Sequence, residues 1–503
     1  MPPRKAARGA SSGNEELTSR HAPQNGPAKR SRTANTQKET TNATTATART
    51  RRAPPPPPAV INQAPSTKLD VFVFGEGSFG ELGLGNSRYG PDNKLKPVNV
   101  KRPRINHLLQ GRGVVLLACG GMHVIALTHD NRILTWGVND HGALGRDTFW
   151  SGGTRDIDAE DDNQNDDDES FKNINPLEST PGEISYGAIP DGTTFTQVAA
   201  SSSASFVVTA TGDVYGWGTF RGDDGVIGFL SPGNNQQNTP VKIPVKGIMN
   251  LSCGSNHVLA LDKDGKVWTW GAPGQGQLGR RITTRGKDKG ARTGLKPEVC
   301  FRFSRPECAA INIATGSYHS FYIDASGQVY GWGLNNYCQA GQREVGEGFT
   351  TITTPKLVER LAHHSMAWLA GGEHHTVVCT QDGVLLSWGR CDGGQTGRSD
   401  LGMSMSYIIH DEHGRPKATY QPQVLDIPHC EFVAAGTDTS FAIDAWRHVY
   451  SWGFSANYQT GLGTDEDVRE PERIANSAIR DREIIWVGAG GQYGIVAAAV
   501  QEK

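Results

Sequence analysis

The twenty residues "SCGSNHVLALDKDGKVWTWG" (252–271) are one of six similar copies along the chain. Each copy has a small-residue turn, an apolar strand, a tight turn such as Asp-Gly, and a second strand ending in Trp-Gly. Apolar–polar alternation with this punctuation is typical of β-hairpins. The copies end at Trp136, Trp217, Trp270, Trp332, Trp388 and Trp452.

A seventh copy is divided between the two ends of the chain. "WVGAGGQYGIVAAA" (486–499) supplies its early part, and "DVFVFG" (70–75) supplies its late strand. Pairing these segments closes a ring by hydrogen bonds and removes exposed sheet edges. Each repeat is followed by a Pro-marked segment such as "TPVKIP" (239–244), which suits an outermost strand. The pattern predicts an all-β fold, a seven-bladed β-propeller with four-stranded antiparallel blades and a ring closed by the N- and C-terminal strands.

The charge of the chain is unevenly distributed. The net charge is −2 over 503 residues, but residues 1–68 hold twelve Lys or Arg against three Glu, so they carry +9 and the rest carries −11. This segment has few apolar residues to offset the entropy of ordering, and "APPPPPA" (53–59) is a stiff spacer. We therefore expect a disordered basic tail at 1–68 and a propeller at 69–503.

The basic clusters of the tail are candidates for nuclear import and for neutralising nucleic-acid phosphates. The alternative is a solubilising tail without a specific partner. The candidate residues are Arg4, Lys5, Lys29, Arg30, Arg32, Arg49, Arg51 and Arg52.

Composition and motifs exclude several classes of protein. No apolar run approaches the roughly 18 residues of a membrane span, so we expect a soluble intracellular protein with no membrane contact. The eight cysteines include no C-x-x-C pair, which favours buried reduced thiols over disulfides or zinc. No P-loop, nucleophile elbow or metal triad is present, so we expect no cofactor and no metal.

Each aromatic–Gly pair opens a short Gly-rich segment, here called a window, that ends at a second Gly. One of these windows is longer than the others. Six windows reach a second Gly within ten residues, as in "WGAPGQGQLG" (270–279), whereas "WGTFRGDDGVIG" (217–228) takes twelve. Its charges and apolar tip predict a projecting wedge. The alternative is a surface loop whose extra length has no specific role. The wedge residues are Arg221, Asp223, Asp224, Gly225, Val226 and Ile227.

Windows and small-residue turns lie on the same face of an up-and-down propeller, together with the residues thirteen and fourteen before each Trp. Blades spread around an axis hold the recurring His too far apart for common zinc ligation, so we expect these side chains to buttress turns. They are His123, His257, His319 and His375. The residues fourteen positions before each Trp differ between blades, which makes them better candidates for partner contacts than the histidines.

From residue 69 onward the chain resembles the regulator of chromosome condensation family in its long period and its Trp-Gly and Gly-Gln-x-Gly style. The Trp-to-Trp steps of 53 to 81 residues are too long for WD40 repeats of about 40–45. "FRGDDGVIGF" (220–229) resembles the wedge of the family's exchange factors for the small GTPase Ran. The resemblance implies a guanine-nucleotide exchange factor that promotes GDP release and GTP loading without covalent chemistry.

The resemblance also implies roles for single residues. The wedge displaces the phosphate-binding region of Ran, and Asn256, His374 and Asp438 hold its surface, while the four histidines shape the face. Two positions depart from the family pattern: Asn256 stands where a carboxylate is frequent, and Tyr493 stands where a His is frequent. "SSSAS" (201–205) also lacks the usual Gly-x-His turn.

For the tail, the resemblance implies recognition by a nuclear import receptor and attachment to chromatin through DNA and the core histones of the nucleosome. We therefore expect a nuclear, chromatin-associated protein, and a monomer, because a closed ring offers no edge to pair. An acidic insertion at 156–170 is interpreted as a solvated loop or a contact for basic partners. A basic insertion at 280–292 is a candidate contact for DNA phosphate or the GTPase.

Two other functions compete with nucleotide exchange. A non-catalytic propeller scaffold would bind partners through the same face without releasing nucleotide. An enzyme with an axial active site would need acid and base residues on the inner strands, which offer mainly Ala, Gly, Ser and Val.

Overall fold

The computed structural model describes residues 59–87, 89–90, 98–152, 174–282, 294–301, 306–343, 350–398 and 405–501. Within these ranges the chain forms seven antiparallel blades, and the innermost strands contact one another in succession around a closed ring. The predicted β-propeller is thus confirmed. The eight basic tail residues, the acidic insertion 156–170 and all but the first three residues of the basic insertion 280–292 lie outside the described residues.

The first and the last strands lie in the same blade. Its first two strands, β1 (Leu69–Gly75) and β2 (Val100–Ile105), belong to blade 7. Blade 1 contains β3 (Val114–Cys119), β4 (His123–Thr128), β5 (Ile133–Gly137) and β6 (Gly182–Glu183). Blade 2 contains β7 (Phe195–Ala200), β8 (Ala204–Thr209), β9 (Val214–Gly218) and, after the hairpin β10 (Phe220–Gly222) and β11 (Gly225–Gly228), strand β12 (Gln237–Lys242).

The remaining blades repeat this meander from the axis outward. Blade 3 contains β13 (Ile248–Cys253), β14 (His257–Asp262), β15 (Val267–Gly271) and β16 (Glu298–Val299). Blade 4 contains β17 (Ala310–Thr315), β18 (His319–Asp324), β19 (Val329–Leu334) and β20 (Thr351–Leu357). Blade 5 contains β21 (Met366–Gly371), β22 (His375–Thr380), β23 (Leu385–Arg390), β24 (Ile408–His410) and β25 (Pro416–Leu425).

The last strands complete blades 6 and 7. Blade 6 contains β26 (Cys430–Ala435), β27 (Thr439–Asp444), β28 (Val449–Gly453) and β29 (Val468–Arg473). Blade 7 adds β30 (Ile484–Ala489) and β31 (Tyr493–Ala499) to β1 and β2. The short helices are α1 (Pro176–Ser179) and the 3₁₀ turns Pro306–Cys308, Glu359–Leu361 and Met405–Tyr407.

The ring closes in blade 7 as the repeat pattern predicts. Strand β1 pairs with β31 over seven residues, from Leu69 opposite Ala499 to Gly75 opposite Tyr493. Because β1 pairs with β31 on one side and with β2 on the other, the closure leaves no exposed strand edge at this junction. One detail differs from the sequence-based expectation: blade 5 has a fifth strand, β24.

The core lies between blades and is built around the repeated tryptophans. All six are at most 1 % exposed. The window glycine of the preceding blade packs against four of these rings, as Gly279 does against Trp332; the other three are Trp136, Trp217 and Trp452. Gly279 has φ +61, and a Cβ there would lie 2.6 Å from the indole nitrogen, so both the backbone and the space require glycine.

Residues that precede β1, in the segment expected to be the tail, make hydrogen bonds with the propeller. The backbone amides of Ile61 and Asn62 donate to the carbonyl oxygen of Ala210, and the Asn62 side chain donates to the carbonyl oxygens of Thr209 and Ile248. Thr209 ends β8 of blade 2 and Ala210 lies in the turn between β8 and β9, while Ile248 is the first residue of β13 in blade 3. This segment therefore docks at the junction of those two blades.

Candidate functional site

The longer window of blade 2 folds into a small hairpin of its own. Strands β10 and β11 pair at Phe220 with Gly228, Arg221 with Val226 and Gly222 with Gly225, and a bulge follows Phe220. The turn between the strands is Asp223–Asp224, and both carboxylates are exposed. The two extra residues thus create a β-hairpin rather than a slack loop.

An aromatic cluster holds the base of this hairpin. The rings of Phe220 and Phe229 stack with centroids 5.7 Å apart, and Phe206 lies 5.9 Å from Phe229 and edge-on to Trp270 at 5.9 Å. Phe206, Phe220, Phe229 and Trp270 are fully buried. This packing fixes the direction in which the hairpin leaves the blade.

The hairpin presents one apolar side chain rather than the two expected at its tip. Val226 is 40 % exposed, whereas Ile227 turns inward and packs against the buried aromatic cluster. The alternation of side chains along a strand accounts for the difference, since neighbouring residues point to opposite sides. The exposed end of the hairpin is therefore Arg221, Asp223, Asp224 and Val226.

Blade 3 supports the hairpin through two contacts. The Asn256 side-chain oxygen accepts a hydrogen bond from the backbone N–H of Arg221 at 2.8 Å. The Asp223 carboxylate lies against Gly274, where a Cβ would approach it to 2.8 Å. Asn256, expected to bind a partner, thus uses its side-chain oxygen to position the wedge.

The wedge leaves one buried donor without an acceptor. In other blades the tryptophan Nε1–H donates to a carbonyl of the preceding window, for example Trp332 to Gln277 and Trp388 to Gln339. Trp270 follows the wedge window, and its Nε1 has no acceptor among the described residues. An unpaired buried donor costs roughly 1–3 kcal/mol. Local rules are most often broken at functional sites, where the fold tolerates the cost.

The four repeated histidines lie inside the molecule, at most 1 % exposed, so they cannot contact a partner in the folded chain. Each Nε2 lies 2.8–2.9 Å from a hydroxyl of the next blade, in the pairs His123–Ser205, His257–Ser320, His319–Thr376 and His375–Ser440. These hydroxyls donate onward to the carbonyl oxygens of Ala143, Gln277, Gln339 and Gln395. Because the hydroxyl proton is used there, the imidazole must donate from Nε2.

In two blades another residue takes the position of the histidine and makes different contacts. Tyr493 takes the histidine position in blade 7, and its hydroxyl lies 2.7 Å from the carbonyl oxygen of His123 in blade 1. Ala204 takes it in blade 2, where it belongs to the same buried apolar cluster as Val258 of blade 3. The Ser201 hydroxyl accepts from the Ala204 N–H at 3.1 Å and holds that turn. These two junctions therefore replace the histidine–hydroxyl pair by a tyrosine hydroxyl and by apolar packing.

Carboxylates and one histidine gather on the wedge face at blades 5 and 6. Asp438 accepts a hydrogen bond from Gln395 at 3.0 Å and lies 3.7 Å from Arg390. Burial and then the charge of Arg390 lower the pKa of His374, so this ring is neutral at pH 7. Burial and then the Asp438 carboxylate raise the pKa of Glu373.

This acidic group extends towards the wedge. Burial first, and then the carboxylates of Glu373 and Asp223, raise the pKa of Tyr318. Tyr318 in blade 4 thus lies within electrostatic range of both the wedge and blade 5. The structure places the wedge, His374 and Asp438 on one face, with Asn256 under the wedge. Tyr318 is one of the residues fourteen before a Trp that were candidates for partner contacts, whereas sequence reasoning missed Glu373, which precedes His374.

Apolar side chains occupy another part of the same face. Phe79 is 57 % exposed at the tip of the blade 7 window, and Met122 is 40 % exposed in blade 1. The Phe79 N–H donates to the Glu81 carboxylate at 2.9 Å. Burial raises the pKa of Glu81 to about 7. The face therefore combines an apolar sector with an acidic one.

The axial channel offers little for acid–base chemistry. Its cavity of about 420 Å³ is lined by the inner strands, with Trp368, Phe432 and Trp486 on one side and Gln197, Asn250 and Asn312 on the other. No Asp, Glu, His, Lys or Arg lines it in the described part of the chain. This lining argues against an axial active site.

Within the described ranges, no group of three or more His, Cys, Asp or Glu could hold a metal ion. No disulfide joins any of the eight cysteines in the described part of the chain, and five of them are buried. None of the described helices has the length and apolarity needed to cross a membrane.

Fold and face together define a β-propeller that carries a projecting acidic hairpin on one face. Residues 70–496 match the family described as the RCC1-like domain. The chain belongs to this family, which confirms the resemblance found in its repeats.

Several relatives share most of the chain. Protein pim1 of Schizosaccharomyces pombe is 38 % identical over 442 residues, covering 87 % of this chain and 76 % of that protein. Guanine nucleotide exchange factor SRM1 of Saccharomyces cerevisiae is 37 % identical over 438 residues, covering 85 % and 86 %. The human regulator of chromosome condensation is 28 % identical over 442 residues, covering 86 % and 91 %.

Solved structures agree with the fold. The crystal structure of Prp20p from Saccharomyces cerevisiae, reported with its binding properties to Gsp1p and histones, superposes with a TM-score of 0.75 at 33 % identity, covering 88 % of this chain and 94 % of Prp20p. Yeast RCC1 (Prp20) bound to Kap60 also gives 0.75 at 33 % identity, covering 92 % and 97 %.

Proposed function

We propose that this protein is a guanine-nucleotide exchange factor for the small GTPase Ran, promoting GDP release and GTP loading. The observation that carries the proposal is the rigid hairpin with Asp223 and Asp224 at its exposed turn. Family membership supports it, because the relative SRM1 is named as a guanine nucleotide exchange factor and Prp20p is described with its binding to Gsp1p.

The proposed mechanism is competition rather than covalent catalysis. A GTPase holds its nucleotide through a P-loop lysine, Mg²⁺ and backbone N–H groups that surround the phosphates. The Asp223 and Asp224 carboxylates offer this cationic region an alternative negative charge. A factor that binds the empty GTPase more tightly than the loaded one shifts the population towards the empty state, from which GTP rebinds.

The support beneath the hairpin makes it suited to this task. A wedge works only if it does not yield when it meets the GTPase, and its base is set in four buried aromatic rings. Asn256 fixes the backbone at Arg221, so the turn two residues later is preorganised. Preorganisation reduces the ordering entropy that binding would otherwise cost.

The acidic group at blades 5 and 6 would hold the GTPase while the wedge acts. Asp438 and Glu373 present negative charge on the wedge face, and His374 is a neutral polar contact beside them. The body of the chain carries a net charge of −11, which speeds encounter with a basic surface. Four buried histidines support this face from the interior, because each joins two adjacent blades. They are His123, His257, His319 and His375.

Release of a fluorescent GDP analogue from purified Ran tests the proposal. The protein in catalytic amount should accelerate release strongly, and Asp223→Ala/Asp224→Ala should remove roughly 30-fold or more of that acceleration, as expected for losing charged contacts at an interface. Asp130→Ala/Asp264→Ala is the matched control, because it removes two exposed carboxylates from turns on the opposite face.

Each outcome has a distinct meaning. Acceleration that survives the wedge substitution would retain the exchange activity and reject the wedge mechanism. Ran binding without acceleration would identify a non-catalytic scaffold instead. An equal loss in the control variant would show that net charge, rather than the wedge, drives exchange.

We also propose that the protein acts in the nucleus, on chromatin, as a monomer. Residues 1–68 would be recognised by an import receptor and would bind DNA phosphates and the core histones of the nucleosome. Relatives support this, since Prp20p is described with its binding to histones and yeast RCC1 was solved with Kap60. Attachment would confine production of the GTP form to the vicinity of chromosomes.

A further inference from the structure

One tyrosine ring on the wedge face carries two cations from the neighbouring blade. Tyr337 belongs to the window of blade 4, and the centroid of its ring lies 5.6 Å from the guanidinium carbon of Arg390 and 5.1 Å from the ammonium of Lys417. Both cations belong to blade 5, Arg390 as the last residue of β23 and Lys417 as the second residue of β25. The ring thus joins blades 4 and 5 beside the acidic group described above.

Further contacts hold the ring and the lysine in place. The rings of His374 and Tyr337 meet edge-to-face with centroids 4.9 Å apart, and the Tyr337 N–H donates to the Gln339 side-chain oxygen at 2.9 Å. The carbonyl oxygen of Lys417 accepts a hydrogen bond from the Cys391 N–H at 3.1 Å. The ring and the strand that carries the ammonium are therefore placed before a partner binds.

The two cations differ in their own partners. Arg390 Nε donates to the Asp392 carboxylate at 2.6 Å, and a second guanidinium nitrogen lies 3.7 Å from Asp438. In the part of the chain that the structure describes, no carboxylate lies within ion-pair distance of the Lys417 ammonium. The charge of Lys417 is thus available to a partner, whereas that of Arg390 is already matched.

A GTPase that covers this face changes the surroundings of Lys417. The side chain is half-buried in the free protein, and a partner above it removes more of its water. A desolvated ammonium requires a counter-charge, and like charges placed together at an interface reduce affinity. A wholly basic surface suits Glu373 and Asp438 but not Lys417, so the partner must present an acidic group at this point.

We propose that Lys417, held on the ring of Tyr337, receives a carboxylate side chain of the bound GTPase and thereby fixes the orientation of the GTPase relative to the wedge. The inference rests on the proposed function, because it assigns a further contact on the same face. One cation beside several carboxylates permits a single register, since a shifted partner would bring like charges together.

Exchange kinetics at several concentrations of purified Ran test this contact. Lys417→Met keeps an unbranched apolar chain on the ring and removes the charge, so KM should rise about fivefold, the size of one partly exposed ion pair, with a smaller change in kcat. Lys417→Arg keeps the charge over the ring and should restore most of the affinity. Net charge alone predicts the opposite sign, because a more negative face attracts a basic surface more strongly.

The matched control is Lys246→Met on the opposite face. Lys246 is exposed and precedes Gly247, whose carbonyl oxygen accepts from the Lys263 N–H in the hairpin turn of blade 3. The control removes the same charge from the chain at a distance from the wedge face. It should leave KM unchanged.

Cross-linking with a water-soluble carbodiimide provides a readout that does not depend on the exchange rate. The reagent activates a carboxylate, and an amine in contact with that carboxylate displaces the urea product to form an amide. The full-length protein with nucleotide-free Ran should yield a link between Lys417 and an Asp or Glu of Ran, identified by peptide mass spectrometry. Lys417→Arg should lose the link while retaining affinity, because a guanidinium stays protonated and does not form the amide.

The outcomes separate this inference from the proposed function. An unchanged or lowered KM in Lys417→Met would overturn the contact, as would an equal rise in the Lys246 control or an equal loss in Lys417→Arg. Exchange without a cross-link at Lys417 would reject the contact and keep the exchange activity. A cross-link without accelerated GDP release would keep the contact and reject the exchange activity. If Lys417→Met unfolds at a lower temperature, the cross-link in the wild type decides.

Discussion

The indole of Trp270 shows most directly what the wedge does to the fold. Its Nε1–H is buried without an acceptor because the preceding window forms a hairpin instead of offering a carbonyl group. Trp332 occupies the equivalent site in blade 4 and donates to Gln277 at 2.8 Å. The two residues share their burial and differ in one hydrogen bond.

This difference predicts unequal effects of one substitution. Trp270→Phe and Trp332→Phe remove similar volume, but only the second also loses a hydrogen bond and leaves a carbonyl group with one partner fewer. We expect Trp332→Phe to lower the free energy of unfolding by about 1 kcal/mol more than Trp270→Phe. Thermal unfolding of both variants measures it, and equal destabilisation would show that Trp270 finds an acceptor in solution.

The interior histidines predict a dependence of stability on pH. Burial lowers the pKa of His257 to about 3 and of His123 to about 4, below the value near 6.5 of an unfolded chain. Between these values the unfolded state binds protons that the folded state does not. The stabilisation is therefore complete above about pH 6.5 and is lost as the pH falls towards the folded values.

His257→Gln should reduce this dependence. Glutamine can still donate to Ser320 but does not titrate, so the variant should lose up to about 1.4 kcal/mol per pH unit less than the wild type between about pH 6.5 and 5. Melting temperatures across this range provide the measurement, with His413→Gln as an exposed control. Parallel curves for wild type and His257→Gln would contradict the interior assignment.

At the scale of elements, the wedge hairpin and blade 3 form one unit. Hairpin β10–β11 has only three paired positions, which is marginal in isolation. Its orientation comes from the aromatic base and from Asn256. The notable departure of Asn256 from the family pattern thus falls on the residue that supports the wedge.

Replacing Asn256 should separate wedge position from fold stability. Asn256→Ala removes the acceptor of the Arg221 N–H, and we expect exchange on Ran to slow about tenfold, equivalent to about 1.4 kcal/mol. Asn256→Asp keeps an oxygen acceptor and should retain most of the activity. Initial rates of GDP release compare the three proteins. Wild-type rates in the alanine variant would show that the aromatic base alone positions the wedge.

At the scale of the whole molecule, the boundary between tail and propeller has a structural position. Asn62 is tied to Thr209 and Ile248, so the ordered chain begins before the first strand. A boundary at 68, chosen from composition, divides this docked segment from the propeller that it contacts. Polar composition alone does not distinguish a docked peptide from a free one.

Two truncations therefore should behave differently. Removing residues 1–58 should abolish most of the salt-sensitive nucleosome binding and leave stability and exchange intact. Removing 1–68 should also lower the free energy of unfolding by roughly 1–3 kcal/mol, because the Asn62 contacts are lost. Nucleosome gel shifts and thermal unfolding measure both effects. Full nucleosome binding after either truncation would reject the tail assignment.

Much of the partner face was predictable, and the reason differs from residue to residue. The wedge was visible as two extra residues in a periodic window, and Asp438 and His374 as variable positions within a regular repeat. The inward turn of Ile227 was missed because the strand alternation of the short hairpin was not applied to it. Glu373 was missed, and the relation of the candidate Tyr318 to the wedge was not foreseen, because both depend on how blades 2, 4 and 5 are placed.

The sequence by itself determined the number of blades, the closure of the ring and the one window that departs from the rest. These features depend on local period, turn residues and the alternation of apolar side chains, all of which can be counted along the chain. Only the tertiary structure decided that Asn256 supports Arg221 across 35 residues, that each histidine reaches a hydroxyl of the next blade, and that Arg390 and Lys417 share one ring. Such contacts join distant residues, and their distances exist only once the ring has closed.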